Sequence, residues 1–307
     1  MKVIMMTKHK KLKKVGIVSA CIVMIAFVIF LIYPLIPKQI KKPKATKIND
    51  NTYCFHDGFV SSCMYLLIGE ERAMLIDTGY GLCRLDEAVA ELTDLPVFVV
   101  NTHGHYDHVG NNALFDECYM SEKDLELYRF YYEDETLDMV YDRLPWIFRH
   151  LAYQEKKAVK QKEPADVKPL PEEGYFDLGG RKVSFFETPG HTPGSICLYD
   201  ENYNLLFDGD MSGVLLDLPM SESVETYLSS VETINRFISD HNVEKIYSGH
   251  NSGGRDTDIY DSLETAARDI FNGNISKKEL DSGSYTVNGM TIDFYPDNIK
   301  DKGGDER

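Results

Sequence analysis

The sequence predicts one α/β domain behind a single N-terminal transmembrane helix, and three observations predict it. The first is the segment 15–36, VGIVSACIVMIAFVIFLIYPLI, which runs 22 residues without a charge. As a helix it spans about 33 Å at roughly 1.5 Å per residue, enough for a hydrocarbon core of about 30 Å. The second is the alternation, from residue 50 onward, of short apolar runs with amphipathic stretches of helical period, the pattern of a sheet covered by helices. The third is a break in charge. Residues 1–50 hold 11 lysines against Asp50 alone, a net of +10, which leaves −26 on the remainder of a chain whose total is −16.

Residues 1–14 are a basic tail with Lys8, Lys10, Lys11, Lys13 and Lys14. The 15–36 segment exceeds the apolar core of a cleavable signal, about 7–15 residues, and no A-x-A-like site follows it. Residues 37–49 form a basic linker with Pro37 and Pro43, suited to lie against anionic lipid. Lysines flank the segment on both sides, so the positive-inside rule gives almost no orientation. A long C-terminal domain can translocate regardless of loop charge, and the expectation is a single-pass cell-membrane protein with its acidic domain outside. The partners expected are therefore a lipid bilayer, through residues 15–36, and a small-molecule substrate.

The folded domain is expected over residues 50–297, followed by a polar tail, 298–307. Residues 63–68 and 73–76 flank the charged turn Gly69-Glu70-Glu71-Arg72 as a hairpin. A short helix fits 86–92, and VFVV at 97–100 reads as a strand buried on both faces. Strands follow at 181–187, 195–199 and 205–207. Tyr227, Leu228, Val231, Ile234 and Ile238 recur at helical spacing, 245–247 is strand-like, and Ile259, Leu263, Ala266 and Ile270 draw another helix. A hairpin turned by Asn288-Gly289 ends the domain. Residues 121–168, rich in charge and aromatics, read as a helical insertion that either packs on itself or walls a substrate pocket. The −26 charge repels phosphate backbones and argues against a nucleic-acid partner. Six irregularly spaced cysteines exclude a disulfide scaffold and a CxxC zinc module. Cys54 and Cys63 could bridge the first hairpin or stay buried thiols, and Asp208 reads as a solvated strand-end acid.

The chemistry gathers in patches, each following a strand: Asn101-Thr102-His103-Gly104-His105-Tyr106-Asp107-His108, then Thr188-Pro189-Gly190-His191, Asp208-Gly209-Asp210 and Ser248-Gly249-His250. Imidazole nitrogen and carboxylate oxygen suit two divalent metal ions, Zn²⁺ first, with Fe or Mn also accommodated. His103 and His105, two apart on an extended segment, face the same way, and His191 completes a three-histidine site. Asp107, His108 and His250 make a neighbouring site, and Asp210 can bridge with its two oxygens, holding ions about 3.5–4 Å apart. His9, His56, His150 and His241 have no such sequence neighbours and read as surface or lid residues.

HGHYDH, PGHTPGS, FDGD and SGH, with LIDTG upstream, resemble the metallo-β-lactamase-fold hydrolases in order and spacing over roughly residues 50–300. The resemblance implies an αβ/βα sandwich with metals at the strand ends. It implies the metal ligands His103, His105, Asp107, His108, His191, Asp210 and His250, with Asp77 supporting them and Asp107 the catalytic group that orients hydroxide. An acid at 210 excludes lactamases with a zinc-binding cysteine there. The pattern looks most like the glyoxalase II branch, but the chain after His250 is too short for that enzyme's glutathione-binding domain. A hydrolase cleaving an ester, thioester, lactone or related bond is expected. Its rivals are a mononuclear iron oxygenase of the persulfide-dioxygenase type, a lipid phosphodiesterase and a non-catalytic surface binding module.

Overall fold

A computed structural model describes residues 42–57, 62–81, 83–130, 166–213, 215, 216, 218 and 221–301. The expected transmembrane segment, the basic tail, most of the aromatic insertion and His9 and His150 lie outside these residues. Among the described residues no helix is long and apolar enough to cross a membrane.

One sheet has seven strands in chain order: β1 (Ala45–Asn49), β2 (Thr52–Asp57), β3 (Ser62–Ile68), β4 (Ala73–Ile76), β5 (Val97–Val100), β6 (Cys118–Met120) and β7 (Val167–Pro169). The first four form an antiparallel meander, and β4 to β7 run parallel. The second sheet uses β8 (Tyr175–Asp177), β9 (Lys182–Glu187), β10 (Ile196–Asp200), β11 (Leu205–Gly209), β13 (Lys245–Ser248) and β14 (Asn251–Arg255), in the order β14-β13-β11-β10-β9-β8. A third, small sheet joins β12 (Leu215–Leu216) to β16 (Met290–Phe294) and β15 (Ser284–Val287).

Within the described residues the strands and helices expected between residues 63 and 120 and between 181 and 294 are present, whereas Val167 and Lys168, expected at the end of the helical insertion, belong to strand β7. β4, β10 and β11 are buried along their whole length because both faces of their sheets are covered, which is why they read as continuous apolar runs. The inner faces meet in a core of Tyr65, Leu67, Met74, Phe98 and Val100 from one sheet with Phe176, Val183, Leu198 and Phe207 from the other. On the outer face of the first sheet lies α1 (Leu85–Ala90), through Leu85, Ala88 and Val89. A turn of helix, α2 (Tyr106–Val109), and α3 (Leu125–Phe130) follow β5 and β6. The second sheet packs outward on α4 (Val224–Asp240) and α5 (Ile259–Asn272) through Tyr227, Val231, Ile234, Leu263 and Ile270. α6 (Lys277–Ser282) carries a Ser276/Glu279 capping box. The layers are helix, sheet, sheet, helix: a mixed α/β sandwich.

Two boundaries differ from the sequence expectation. Ala45–Asn49, expected in the basic linker, is the edge strand β1 paired with β2. Beyond residue 297, Asn298 and Ile299 accept hydrogen bonds from the first turn of α4, and Asp301 accepts from its cap Ser223. Between the sheets Arg181 is a buried clasp: its guanidinium pairs with Asp200 of β10 and donates to the carbonyls of Asn51 and Ile68 at 2.7 and 3.0 Å. A buried pair of this kind is costly to break from one side.

Candidate metal centre

The site is built from the C-terminal ends of five strands. Asp77 follows β4, the His103–His108 loop follows β5, His191 follows β9, Asp210 follows β11 and His250 follows β13. Strands that stop together leave their outgoing loops at one edge, where an α/β sheet ordinarily binds ligands.

All seven residues expected from the sequence come together. His105 Nδ1 and His191 Nε2 are 2.8 Å apart, and one donor atom from each of His103, His105 and His191 falls within 4.8 Å of the other two. Asp107, His108 and His250 form a second such group, with His250 Nε2 3.3 Å from Asp107 Oδ2. Asp210 stands between them. Its Oδ2 lies 3.4 Å from His191 Nε2, 4.0 Å from His103 Nε2 and 3.1 Å from His250 Nε2, while Oδ1 is 3.5 Å from His108 Nε2. Two nitrogens on one tetrahedral zinc, each about 2.0–2.1 Å from the ion, are about 3.3 Å apart, so these separations are those of donors aimed at common points. His103 Nε2, His108 Nε2 and Asp210 Oδ1 are buried without a hydrogen bond, a costly arrangement unless cations complete it. The residues fit two divalent ions.

The surrounding polar groups fix the donors. Asp77 takes a left-handed backbone (φ 59°) that turns its carboxylate inward. There it meets His108 Nδ1 at 2.8 Å and accepts the Thr102 amide and hydroxyl at 2.8 Å each. The carbonyl of Leu215 in β12 meets His191 Nδ1 at 2.9 Å. Such contacts set the ring orientation and the tautomer of a ligating histidine. α2 is pinned from below: Thr78 N–H and Asn101 Nδ2 both donate to the His108 carbonyl, at 2.7 and 3.0 Å. Gly249 is required by space, since a Cβ there would lie 2.3 Å from Asp210 Oδ1 and 2.5 Å from His108 Cε1.

The charges divide the set in two. Burial, with His108 adding to it, holds His103 well below the ordinary histidine range; burial lowers His105 and His191 as well, so all three stand unprotonated. Burial also acts on His108 and His250, but facing carboxylates outweigh it. Asp210, Asp77 and Asp107 push His108 well up, and Asp210 raises His250. Burial disfavours the charge on Asp210, yet His108 and His250 hold its carboxyl well below the usual carboxylate range. His250 is the exposed member of the set.

Some residues of the site were not foreseen. Asp124, in the turn before α3, accepts the Gly104 amide and the Thr192 hydroxyl on Oδ2 at 2.8 and 2.7 Å, and the Gly194 amide on Oδ1 at 2.7 Å. It staples the His103–His108 loop to the His191 loop. No local motif marks it. Asp208, expected at the solvated surface, is buried; it accepts from the Tyr260 hydroxyl at 2.8 Å, and burial pushes its carboxyl up to about 7. His241 does lie at the surface, stacked on Phe237 with ring centroids 3.9 Å apart.

A family model described as the metallo-beta-lactamase superfamily matches residues 57–271. The chain belongs to the metallo-beta-lactamase superfamily. It is 29% identical over 218 residues to "Acyl-coenzyme A thioesterase MBLAC2" of Homo sapiens, covering 64% of this chain and 75% of that protein. It is 25% identical over 206 residues to "Probable metallo-hydrolase YqgX" of Bacillus subtilis (strain 168), covering 66% and 89%. A metallo-beta-lactamase family protein from Thermus thermophilus shares the fold at a TM-score of 0.54 and 21% identity, over 78% of this chain and 86% of that one. The protein is a metal-dependent hydrolase of this superfamily.

Proposed function

We propose that the protein hydrolyses acyl thioesters with two divalent ions, Zn²⁺ first among them. The observation that carries the two-ion reading is Asp210, whose two oxygens face both histidine groups. His103, His105 and His191 would hold one ion, and Asp107, His108 and His250 the other. Such ions lower the pKa of water from 15.7 towards about 7 and polarise a carbonyl. Asp107, buried beside His250, would orient the attacking water and pass a proton to the leaving thiolate. Neutral His103, His105 and His191 present lone pairs without first losing protons. The complete second group favours hydrolysis over one-iron oxygen chemistry, and the similarity to MBLAC2 supports a thioester over the other bonds.

The test is turnover of acyl-coenzyme A thioesters by zinc-loaded protein beside oxygen-ester, lactone, β-lactam and phosphodiester substrates. Cleavage of any of these four without cleavage of the thioesters would overturn the thioester assignment. We also propose that residues 15–36 anchor the domain to a membrane, on the strength of their 22 uncharged residues. Recovery of the full-length chain in the aqueous fraction after carbonate extraction of membranes would refute it.

A further inference from the structure

Cys54 and His56 lie two residues apart on β2, so both side chains leave the same face of the strand. The register sets His56 opposite Cys63 of β3. One donor atom from each of the three lies within 4.8 Å of the other two, and His56 Nδ1 is 3.7 Å from Cys63 Sγ. The two thiols are buried, while His56 is only partly covered. None of the three belongs to the His/Asp centre.

With bonds of about 2.3 Å to sulfur and about 2.0–2.1 Å to nitrogen, a tetrahedral zinc sets neighbouring S and N atoms about 3.6 Å apart. The observed 3.7 Å matches that edge. Two sulfurs with one imidazole are a donor set for thiophilic d¹⁰ cations, unlike the nitrogen-and-oxygen set of the centre. The donors need no large rearrangement, because they stand on paired strands whose register is fixed by six residue pairs from Thr52↔Leu67 to Asp57↔Ser62.

We propose that Cys54, His56 and Cys63 form a separate metal site for a thiophilic cation of the Zn²⁺ type. Each thiol gives its proton to solvent as its sulfur–metal bond forms, so loading this site releases two protons. His56 is the partly covered member of the three, and the fourth position is left to a water or a small anion.

The experiment is titration of reduced, metal-stripped full-length protein with Cd²⁺, reading bound equivalents and the ultraviolet thiolate-to-cadmium charge-transfer band. Three equivalents are expected, one of them accompanied by the band. Cys63→Ser should bind two without the band, and His56→Ala, at a less buried position, should lose the same equivalent if the serine variant does not fold. Asp210→Ala should lose an equivalent and keep the band, which separates the two sites. Two equivalents without a band in the unmodified protein, or a band that survives in Cys63→Ser, would overturn the proposal. So would thiol counting that shows Cys54 and Cys63 joined as a disulfide in protein purified under reductant.

Discussion

Replacing Asp124 by Asn tests whether the two ligand loops are held together by one buried carboxylate. Oδ2 accepts two hydrogen bonds and Oδ1 accepts one, all between 2.7 and 2.8 Å. An asparagine can place its oxygen at only one of these positions. With the oxygen at Oδ2, the Gly194 amide faces an NH₂ group, and a buried donor left unmatched costs about 1–3 kcal/mol. The other two bonds lose their charge assistance, roughly half their strength. Against this, burial pushes the Asp124 carboxyl upward, so the neutral amide recovers part of the desolvation cost. The net expectation is a loss of about 2 kcal/mol in urea unfolding of EDTA-treated protein, followed by circular dichroism. Because the staple also sets the spacing of His103 and His105 from His191, zinc affinity by chelator competition should fall by about 10–100-fold. Glu126→Gln, at an exposed position two residues away, is the control. An unfolding midpoint and a zinc affinity equal to those of the unmodified protein would refute the reasoning.

Asp210→Ala removes the group facing both histidine sets, so the zinc-loaded variant should hold one equivalent at the His/Asp centre in place of two, with hydrolysis reduced about 100-fold or more; His241→Ala should keep both, and full occupancy in Asp210→Ala would exclude a bridge. Protons compete with metal for histidine. His108 and His250 are raised while His103, His105 and His191 are lowered, so on acidification the ion held by Asp107, His108 and His250 should leave at the higher pH. Dialysis over a pH series with metal analysis reads this, and loss of both equivalents in one step would contradict it.

The parts of the molecule that could be read from the sequence are those whose environment is uniform along the chain. Val97–Val100 and Leu205–Phe207 are apolar on both faces because their strands are covered on both faces. β14, Asn-Ser-Gly-Gly-Arg, carries no such pattern, since an edge strand is held by backbone pairing alone on one side. The seven candidate ligands were legible because each sits in a short loop or single helical turn that follows a strand. Asp124 was not: its partners are 20, 68 and 70 residues away, and the surrounding charged segment hides one acid among many. Asp208 was misplaced for the opposite reason. Its strand-end position suggested solvent, whereas α5 brings the Tyr260 hydroxyl over it. His56 was read as a surface or lid residue although Cys54 stands two positions before it, because Cys63, which the register sets opposite it, lies across the hairpin.

The carbonyl that orients His191 belongs to Leu215, and Leu215 is held by pairing with Asp293 in the parallel β12–β16 ladder. The centre therefore depends on a strand about forty residues past its last donor, His250. During synthesis all seven side chains emerge well before that strand does. A nascent chain, or one cut short after α5, carries every donor but leaves the His191 ring without its fixed acceptor.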